Sequence, residues 1–369
     1  MSSFKISLSE IAERNCRMTR LSSVRARMQA EALDAVIITN LKNIYYLSGF
    51  WGTAGTILVT QKAQYLLTDS RYSIAAREVA VDFDIVETRE AFVEIAKLLK
   101  KEAVSLVGFE DGVTYAEFQT MQSQLAGVTL KATTNFIEVL RQIKSPSEIA
   151  TIKKACAISD QAFNDLLKFV EPGKTEIEIA NFLDFKMRDL GASGISFDTI
   201  VASGKRSALP HGRATHKPID FGDTVTVDFG CYYDHYASDM TRTFFVGEAS
   251  PQMQEIYQIV QKAQQAVTDV SAPGLTFGDY DRAARDIIET AGYGQAFSHG
   301  IGHGLGLDVH EIPYFPKTSQ ERLVENLIIT NEPGIYVENL GGVRIEDDLL
   351  ITSQGVEVLT KAPRELIIL

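Results

Sequence analysis

The carboxyl-terminal part of the chain contains one pattern twice, and this internal repeat constrains the fold more than any other sequence feature. The first copy runs from 145 to 194 and the second from 250 to 294. Each copy has Ser-Pro, a helical segment, Pro-Gly, a threonine before a second helical segment, and a closing glycine. Because Ser and Thr are good N-cap residues and Pro fits the first helical turn, each copy predicts two successive helices. Two such halves are expected to pack about a pseudo-twofold axis.

Each copy is followed by strand-like segments that carry two acidic residues. Asp228 and Asp239 follow the first copy and lie eleven positions apart, whereas Glu332 and Glu346 follow the second and lie fourteen apart. A pseudo-twofold arrangement would bring the four acids together. Taken alone, Asp228 could be a turn residue at a strand end, and so could Glu332. Independent turn residues have no reason to occupy matched positions of duplicated hairpins, so we interpret the four acids as one site.

A stretch rich in histidine and glycine, HGIGHGLGLDVHE at 299–311, follows the second pair of predicted helices. Histidines four apart can bind zinc from one helix face, but each interior glycine costs a helix roughly 1 kcal/mol, which excludes a helix here. We therefore predict an extended segment. His299 and His303 would share one face, and the glycines on the other face would let a second backbone approach. His310 has the opposite parity and needs a bend or bulge to reach the same site.

The four acids could not be buried together as bare anions, because desolvation and mutual repulsion would protonate them or unfold the chain. They require cations. With His303 they form an oxygen and nitrogen ligand set suited to Mn²⁺, Co²⁺, Zn²⁺ or Fe²⁺. Two divalent ions would balance four carboxylates, and metals ~3.5–4 Å apart can activate a water for attack on a carbonyl. His216 and His235 lie among charged residues and are predicted to be exposed and outside the site.

Composition argues against several classes of protein. The net charge of −12 and the lack of a basic patch argue against a nucleic-acid partner. Three widely separated cysteines indicate reduced thiols, and we find no signal peptide and no run of the ~20 apolar residues that span a membrane. A cytoplasmic location is the expectation. The predicted organisation is an N-terminal extension over 1–19, an α/β domain over 20–135 and a second domain over 136–369.

The predicted α/β domain rests on alternating helical and strand-like segments. A helix is predicted over 21–33, a polar turn is predicted after the first strand, and a further helix is predicted from Ala91 to Glu102. The predicted strands are 35–39, 56–60, 64–69 and 83–87.

Six motifs of the second domain resemble those of the pita-bread metallopeptidases, in the branch of aminopeptidase P and prolidase. In order they are LPHG, VTVDFG, SDMTRT, HGIGHGLGLDVHE, EPGIY and GGVRIED. The resemblance runs from about residue 20 to the end, because GFWGTAGTILVT and LLTDSRY are similar to the amino-terminal domain of the same branch. It implies an α/β N-terminal domain of the creatinase/prolidase type and an α+β pita-bread catalytic domain with a pseudo-twofold internal repeat.

The resemblance also implies roles for individual residues. The metal ligands that it implies are Asp228, Asp239, His303, Glu332 and Glu346. Asp239 and Glu346 would bridge two divalent ions, with Mn²⁺ as the first expectation and Co²⁺ or Zn²⁺ as alternatives. The catalytic residues that it implies are His211, His310 and Glu332, of which Glu332 would also accept the proton of the water. His299 would lie near the proline pocket, and Arg344 would support a bridging acid.

The implied activity is that of a dinuclear-metal Xaa-Pro aminopeptidase, which cleaves between an N-terminal residue and a following proline. The alternative is a prolidase, which must hold the free carboxylate of an Xaa-Pro dipeptide, commonly with an arginine a few residues past the catalytic histidine. Tyr314 stands where such an arginine often occurs, and this favours longer substrates. The alternative is that Arg344 or a residue of the N-terminal domain supplies the positive charge. Asn331 departs from the apolar residue that commonly precedes Glu-Pro-Gly, but leaves the ligand intact.

Two other functions compete with these peptidases. A metal-free creatinase-like hydrolase and a non-catalytic binding protein are both disfavoured, because all five implied ligands are present. We expect peptides with proline in the second position as partners, no nucleic acid and no membrane. The N-terminal domain carries no catalytic residue that we identify, so we expect it either to shape the mouth of the cleft or to pair two subunits, with a homodimer as the preference.

Overall fold

The computed structural model describes residues 8–369, with side chains from residue 16 onward. The chain forms two compact units, and the division falls between Arg141 and Gln142, whereas the sequence placed a boundary after residue 135. The first helix begins at Leu8, so residues 8–19, which the sequence assigned to an extension, belong to that helix. The remainder of the predicted extension lies outside the described residues.

The first unit contains one mixed sheet and six helices among its described residues. The strand order is β4-β3-β2-β1-β5-β6, in which β1, β5 and β6 run parallel and β2 runs antiparallel to both neighbours. The helices and strands are α1 Leu8–Ala30, β1 Ala35–Ile38, α2 Leu41–Ser48, β2 Thr56–Thr60, β3 Gln64–Thr68, α3 Ser73–Val79, β4 Asp84–Glu87, α4 Ala91–Glu102, β5 Leu106–Glu110, α5 Tyr115–Gln124, β6 Thr129–Thr133 and α6 Glu138–Arg141.

This architecture confirms the predicted α/β domain, and α4 has the predicted bounds. The polar turn predicted after the first strand is wrong, because α2 lies there. Asn40 caps this helix by accepting the backbone N–H groups of Lys42 and Asn43, and Gly49 ends it in a left-handed conformation. The residues that predicted a turn therefore include the two that cap this helix.

The second unit contains four long helices and short antiparallel strands. Its helices are α7 Pro146–Leu166, α8 Glu176–Asp189, α9 Pro251–Val270 and α10 Phe277–Thr290, with 3₁₀ turns at Gly204–Ala208 and Gly294–Ala296. Its strands are β7 Gly194–Ile195, β8 Ile200–Ser203, β9 Thr224–Phe229, β10 Cys231–Tyr233, β11 Tyr236–Ala237, β12 Met240–Phe245, β13 His303–Gly304, β14 Glu311–Tyr314, β15 Ile328–Asn331, β16 Gly334–Val337, β17 Gly341–Arg344, β18 Asp347–Thr352 and β19 Gly355–Val358.

The internal repeat is present in the fold. The first half places α7 and α8 with the sheet β12-β9-β8, and the second places α9 and α10 with the sheet β14-β13-β15-β18-β19. The four helices begin in the same way, because each N-cap hydroxyl accepts the backbone N–H three residues later. These N-cap residues are Ser145, Thr175, Ser250 and Thr276. The predicted helix pairs are confirmed.

The second unit has two large apolar clusters, one for each half. One cluster includes Phe163, Val227 and Phe244, and the other includes Tyr257 and Phe245. Burial of an aromatic side chain of this size contributes roughly 1.5–3 kcal/mol to folding. The two clusters therefore hold β12, the strand that begins directly after Asp239 and pairs with the strand that contains Asp228.

Candidate metal centre

The strands of the first half place two of the predicted acids at one end of their sheet. Asp228 lies in β9 directly opposite Thr241 of β12, and Asp239 immediately precedes β12. The backbone N–H of Asp239 donates to Asp348 Oδ2 at 3.0 Å, which fixes the start of the strand. Asp348 is a buried residue that the sequence interpretation did not single out.

The strands of the second half place the other two acids at matching points. Glu332 follows β15 and Glu346 precedes β18, and these strands pair in antiparallel register next to the two acids. Carboxylate oxygens of Asp228, Asp239 and Glu346 lie within 4.8 Å of one another. The four predicted acids thus meet where the two halves come together.

His303 joins the acids through its Nε2 atom. This nitrogen lies 3.6 Å from Asp239 Oδ2 and 3.5 Å from Glu332 Oε1. The other ring nitrogen, Nδ1, donates to the carbonyl of Gly304 at 3.1 Å, which directs the Nε2 lone pair at the carboxylates. Burial lowers the pKa of His303 to about 3, so the ring is neutral and able to bind a metal.

The glycines around His303 allow close packing of the backbone. The carbonyl oxygen of Thr330 lies where a side chain on Gly302 would begin, 2.1 Å from that position, and Ile312 O similarly lies 2.5 Å from the corresponding position at Gly304. The predicted close approach of a second backbone is confirmed. The prediction of an extended stretch holds only for His303–Gly304 and for Glu311, which begins β14, because bends make up most of the rest.

A bulge brings His310 beside His303, as its parity required. The pairing of β13 with β14 shifts register between His303 and Gly304, and the two imidazole rings lie 4.2 Å apart at their centroids. One His310 ring nitrogen, one Asp239 oxygen and one His303 nitrogen lie within 4.8 Å of one another. His310 therefore faces the acids from the open side of the site.

Arg344 and Thr241 hold the carboxylates in place. The guanidinium of Arg344 lies 2.6 Å from Asp228 Oδ2, and its Nε donates to the Thr241 hydroxyl at 3.0 Å. That hydroxyl donates to Glu346 Oε2 at 2.6 Å. Arg344 is thus linked to one acid directly and to a second through Thr241, and the sequence interpretation missed Thr241.

Tyr336 connects Arg344 to His299. Arg344 Nη1 donates to the Tyr336 hydroxyl at 2.7 Å, and the hydroxyl lies 2.9 Å from His299 Nε2. His299 Nδ1 donates to the carbonyl of Gly300, so Nε2 accepts from the hydroxyl. The EPGIY motif contains Tyr336, but the sequence interpretation gave this residue no role.

The electrostatics of the cluster fit bound cations. Burial, followed by the charge of Glu346, raises the pKa of Asp239 well above its usual value, and burial likewise raises the pKa of Glu346. Burial raises the pKa of Glu332 to about 7, against the opposite effect of Arg344. Asp228 Oδ1 is buried and has no protein hydrogen-bond partner. Buried carboxylates that repel one another, and a carboxylate oxygen that accepts no hydrogen bond, are the kind of ligands that hard divalent ions bind.

The acids open into a cavity of about 790 Å³ within the second unit. His211, His299 and His310 line it, together with apolar walls from Phe197 and Phe315. His216 does not line it and is exposed, and His235 is half-buried and also outside it. The structure therefore brings the predicted ligands and catalytic histidines to one cavity, and the prediction for His216 is confirmed; His235 lies outside the site but is less exposed than predicted.

The profile of metallopeptidase family M24 matches residues 150–353, and that of the creatinase/prolidase N-terminal domain matches residues 20–143. This chain belongs to family M24. It is a metal-dependent peptide hydrolase of the pita-bread type, and the predicted two-domain fold is confirmed. No helix among the described residues is long and apolar enough to cross a membrane.

Several relatives of this family member are similar over nearly their whole length. The structure of an Xaa-Pro dipeptidase from Bacillus anthracis is 43% identical, with a TM-score of 0.94, and the match covers 96% of this chain and all of the other. An Xaa-Pro dipeptidase from Pyrococcus horikoshii is 41% identical over 92% of this chain and 96% of its own length. The structure of an X-Pro aminopeptidase from Thermotoga maritima is 37% identical over 92% of this chain and 98% of its own, with a TM-score of 0.86.

These relatives bear on the choice between the two peptidase activities expected from the sequence. The sequence interpretation preferred an aminopeptidase because Tyr314 occupies the position of a carboxylate-binding arginine. The similarities favour the dipeptidase alternative. Activity on peptides that contain proline is common to both readings.

Proposed function

We propose that this M24 family member is an Xaa-Pro dipeptidase, which hydrolyses the single peptide bond of a dipeptide whose second residue is proline. The observation that carries the proposal is the 43% identity, over essentially complete chains, to a protein named Xaa-Pro dipeptidase. The carboxylate and imidazole cluster at the end of the cavity supports a metal-dependent reaction.

Two divalent ions would be held by the five predicted ligands of the cluster, which are Asp228, Asp239, His303, Glu332 and Glu346. When bound, such ions supply an activated water and positive charge for the oxyanion that forms at the carbonyl. Arg344 orients Asp228 for this task, and Thr241 orients Glu346. These contacts hold the carboxylates in place against their mutual repulsion.

The remaining polar groups would act on the substrate. His310 and His211 line the cavity beside the acids, where a ring N–H can donate to the carbonyl oxygen as negative charge develops on it. Glu332 would accept a proton from the attacking water and pass it to the departing proline nitrogen. The cavity wall that contains Phe197 and Phe315 suits a proline ring and keeps water away from it.

A comparison of substrates tests the proposal. We expect kcat/KM for an Xaa-Pro dipeptide to exceed that for the same dipeptide extended by one residue by about tenfold or more, which is roughly 1.4 kcal/mol of differential transition-state binding. A tenfold preference for the longer peptide would instead identify an Xaa-Pro aminopeptidase. Tyr314 is the observation that favours this second candidate, because its phenol carries no positive charge at neutral pH.

A further inference from the structure

A dipeptidase has to bind a free carboxylate next to the scissile bond, so the positive charges of the cavity are informative. Among the described residues that line the cavity, the permanently charged cations are Arg213 and Arg344. The guanidinium of Arg344 already contacts Asp228, Tyr336, Thr241 and the carbonyl of Pro210. It is also buried, with 4% of its side chain exposed, so Arg344 cannot reach a substrate carboxylate without abandoning Asp228.

Arg213 differs from Arg344 in its exposure and in its partner. Its side chain is 80% exposed, and Nη2 lies 3.2 Å from Oδ2 of Asp198, which is itself 72% exposed. Exposed ion pairs of this kind contribute little to stability because water screens both charges. A substrate carboxylate can therefore replace Asp198 at small cost and can accept two parallel hydrogen bonds from the guanidinium.

The backbone of Arg213 is held by hydrogen bonds, although its side chain is exposed. Its N–H donates to the carbonyl of His211 at 2.9 Å, and its carbonyl accepts from Arg206 Nη2 at 2.9 Å. Arg213 also forms an isolated backbone bridge with Ile200. His211, Arg213, Asp198 and Ile200 all line the cavity. The arginine is thus anchored two residues from a predicted catalytic histidine.

We propose that Arg213 binds the proline carboxylate of Xaa-Pro dipeptides and so determines the preference for dipeptides, a role that Tyr314 cannot fill. This inference rests on the proposed function. The proline carboxylate does not change during the reaction, so binding it equally in the ground state and the transition state acts mainly on KM, whereas the metal ligands and His310 act on kcat.

The test measures kcat and KM for an Xaa-Pro dipeptide and for its C-terminal amide, which differs only in the missing negative charge. We expect Arg213→Gln to lower kcat/KM for the dipeptide about tenfold or more, mostly through KM, and to leave the amide within about twofold. Arg213→Lys should restore part of the loss, because the lysine ammonium keeps the positive charge but cannot form the two parallel hydrogen bonds of a guanidinium. The matched control is Arg282→Gln, because Arg282 is an exposed arginine paired with Asp279 and does not line the cavity.

Asp198→Asn separates carboxylate binding from a structural role of the ion pair. If Arg213 binds substrate, releasing it from Asp198 should keep or improve the KM for the dipeptide. A loss equal to that of Arg213→Gln would show that the ion pair only maintains the local structure, and would overturn the inference.

The same measurements distinguish the two proposals. A parent protein that prefers the dipeptide to both its amide and the extended peptide, with this preference unchanged in Arg213→Gln, refutes the role of Arg213 and leaves the dipeptidase proposal standing. A parent protein that does not prefer the dipeptide refutes both.

Discussion

The two halves of the second unit share a scaffold and differ in the segments inserted into it. In the first half, residues 190–223 separate α8 from β9 and carry His211 and Arg213. In the second half, residues 291–327 separate α10 from β15 and carry His299, His303 and His310. Both halves supply two acids. Only the second of these segments supplies an imidazole, that of His303, whose nitrogen lies within 3.6 Å of two of the acids.

This comparison separates the features that the two halves share from those found in one half alone. Matched helices and strands account for four carboxylates around a shared centre. The inserted segments account for the asymmetry, because one carries His211 and Arg213, which line the cavity, and the other carries the proposed metal ligand His303 together with His299 and His310. The following changes test this division of labour, from the largest expected effect to the smallest.

If both halves supply ligands to one metal centre, removing a ligand from either half should abolish activity completely. We expect full metal depletion to abolish hydrolysis of an Xaa-Pro peptide and add-back of Mn²⁺, Co²⁺ or Zn²⁺ to restore it. Metal at 100 times its Kd should also add about 2.7 kcal/mol to the free energy of unfolding and so raise the melting temperature. Asp239→Ala and Glu346→Ala should each lose both effects, whereas Asp269→Ala, at an exposed position, should keep them. Full activity in the depleted protein would contradict a metal centre.

A buried ion pair joins the two halves. Lys144 Nζ lies 2.7 Å from Glu311 Oε1, and 1% and 4% of the two side chains are exposed. Lys144→Met leaves a buried carboxylate without its cation, so we expect a loss of about 3–5 kcal/mol in the free energy of unfolding. Lys153→Met removes an exposed pair of similar length, between Lys153 and Glu357, and should cost at most about 1 kcal/mol. Equal losses in chemical denaturation would show that burial of the pair does not matter.

His310 tests the inserted segment of the second half. His310→Ala should lower kcat by roughly 10²-fold or more, since loss of one donor to an oxyanion costs about 2.7–4 kcal/mol. His216→Ala, at an exposed position outside the cavity, should retain parental activity. A His310→Ala protein within threefold of the parent would remove His310 from the list of catalytic residues.

The smallest effect is expected at Tyr336, because this residue acts on the site only through Arg344 and His299. Tyr336→Phe removes the hydroxyl between Arg344 and His299, and we expect kcat/KM to fall roughly tenfold, as for other outer partners of metal sites. Tyr257→Phe also removes a largely buried hydroxyl, bonded to backbone carbonyls away from the cavity, and should lower stability by about 1 kcal/mol without changing kcat/KM. A similar loss of activity in both variants would indicate a general effect of packing.

The parts of this site that the sequence could predict are those with a local or repeated pattern. Matched acids and helix caps recur in both copies, and a glycine-rich stretch limits the conformations around His303. Thr241 gives no such signal, because its bond to Glu346 joins residues 105 positions apart across two strand ends. The proposed role of Arg213 in substrate choice was also beyond local pattern, since the cavity that this arginine lines forms only in the folded chain.

The two apolar clusters have a consequence for how this unit unfolds. Phe244 and Phe245 are neighbours on β12, so their side chains point to opposite faces of the strand and enter different clusters. Loss of β12 would therefore open both clusters at once, and neither half retains a complete interior without it. Denaturation of this unit should accordingly be a single cooperative transition, in which amide hydrogen-exchange protection in the helices of both halves and hydrolytic activity are lost together.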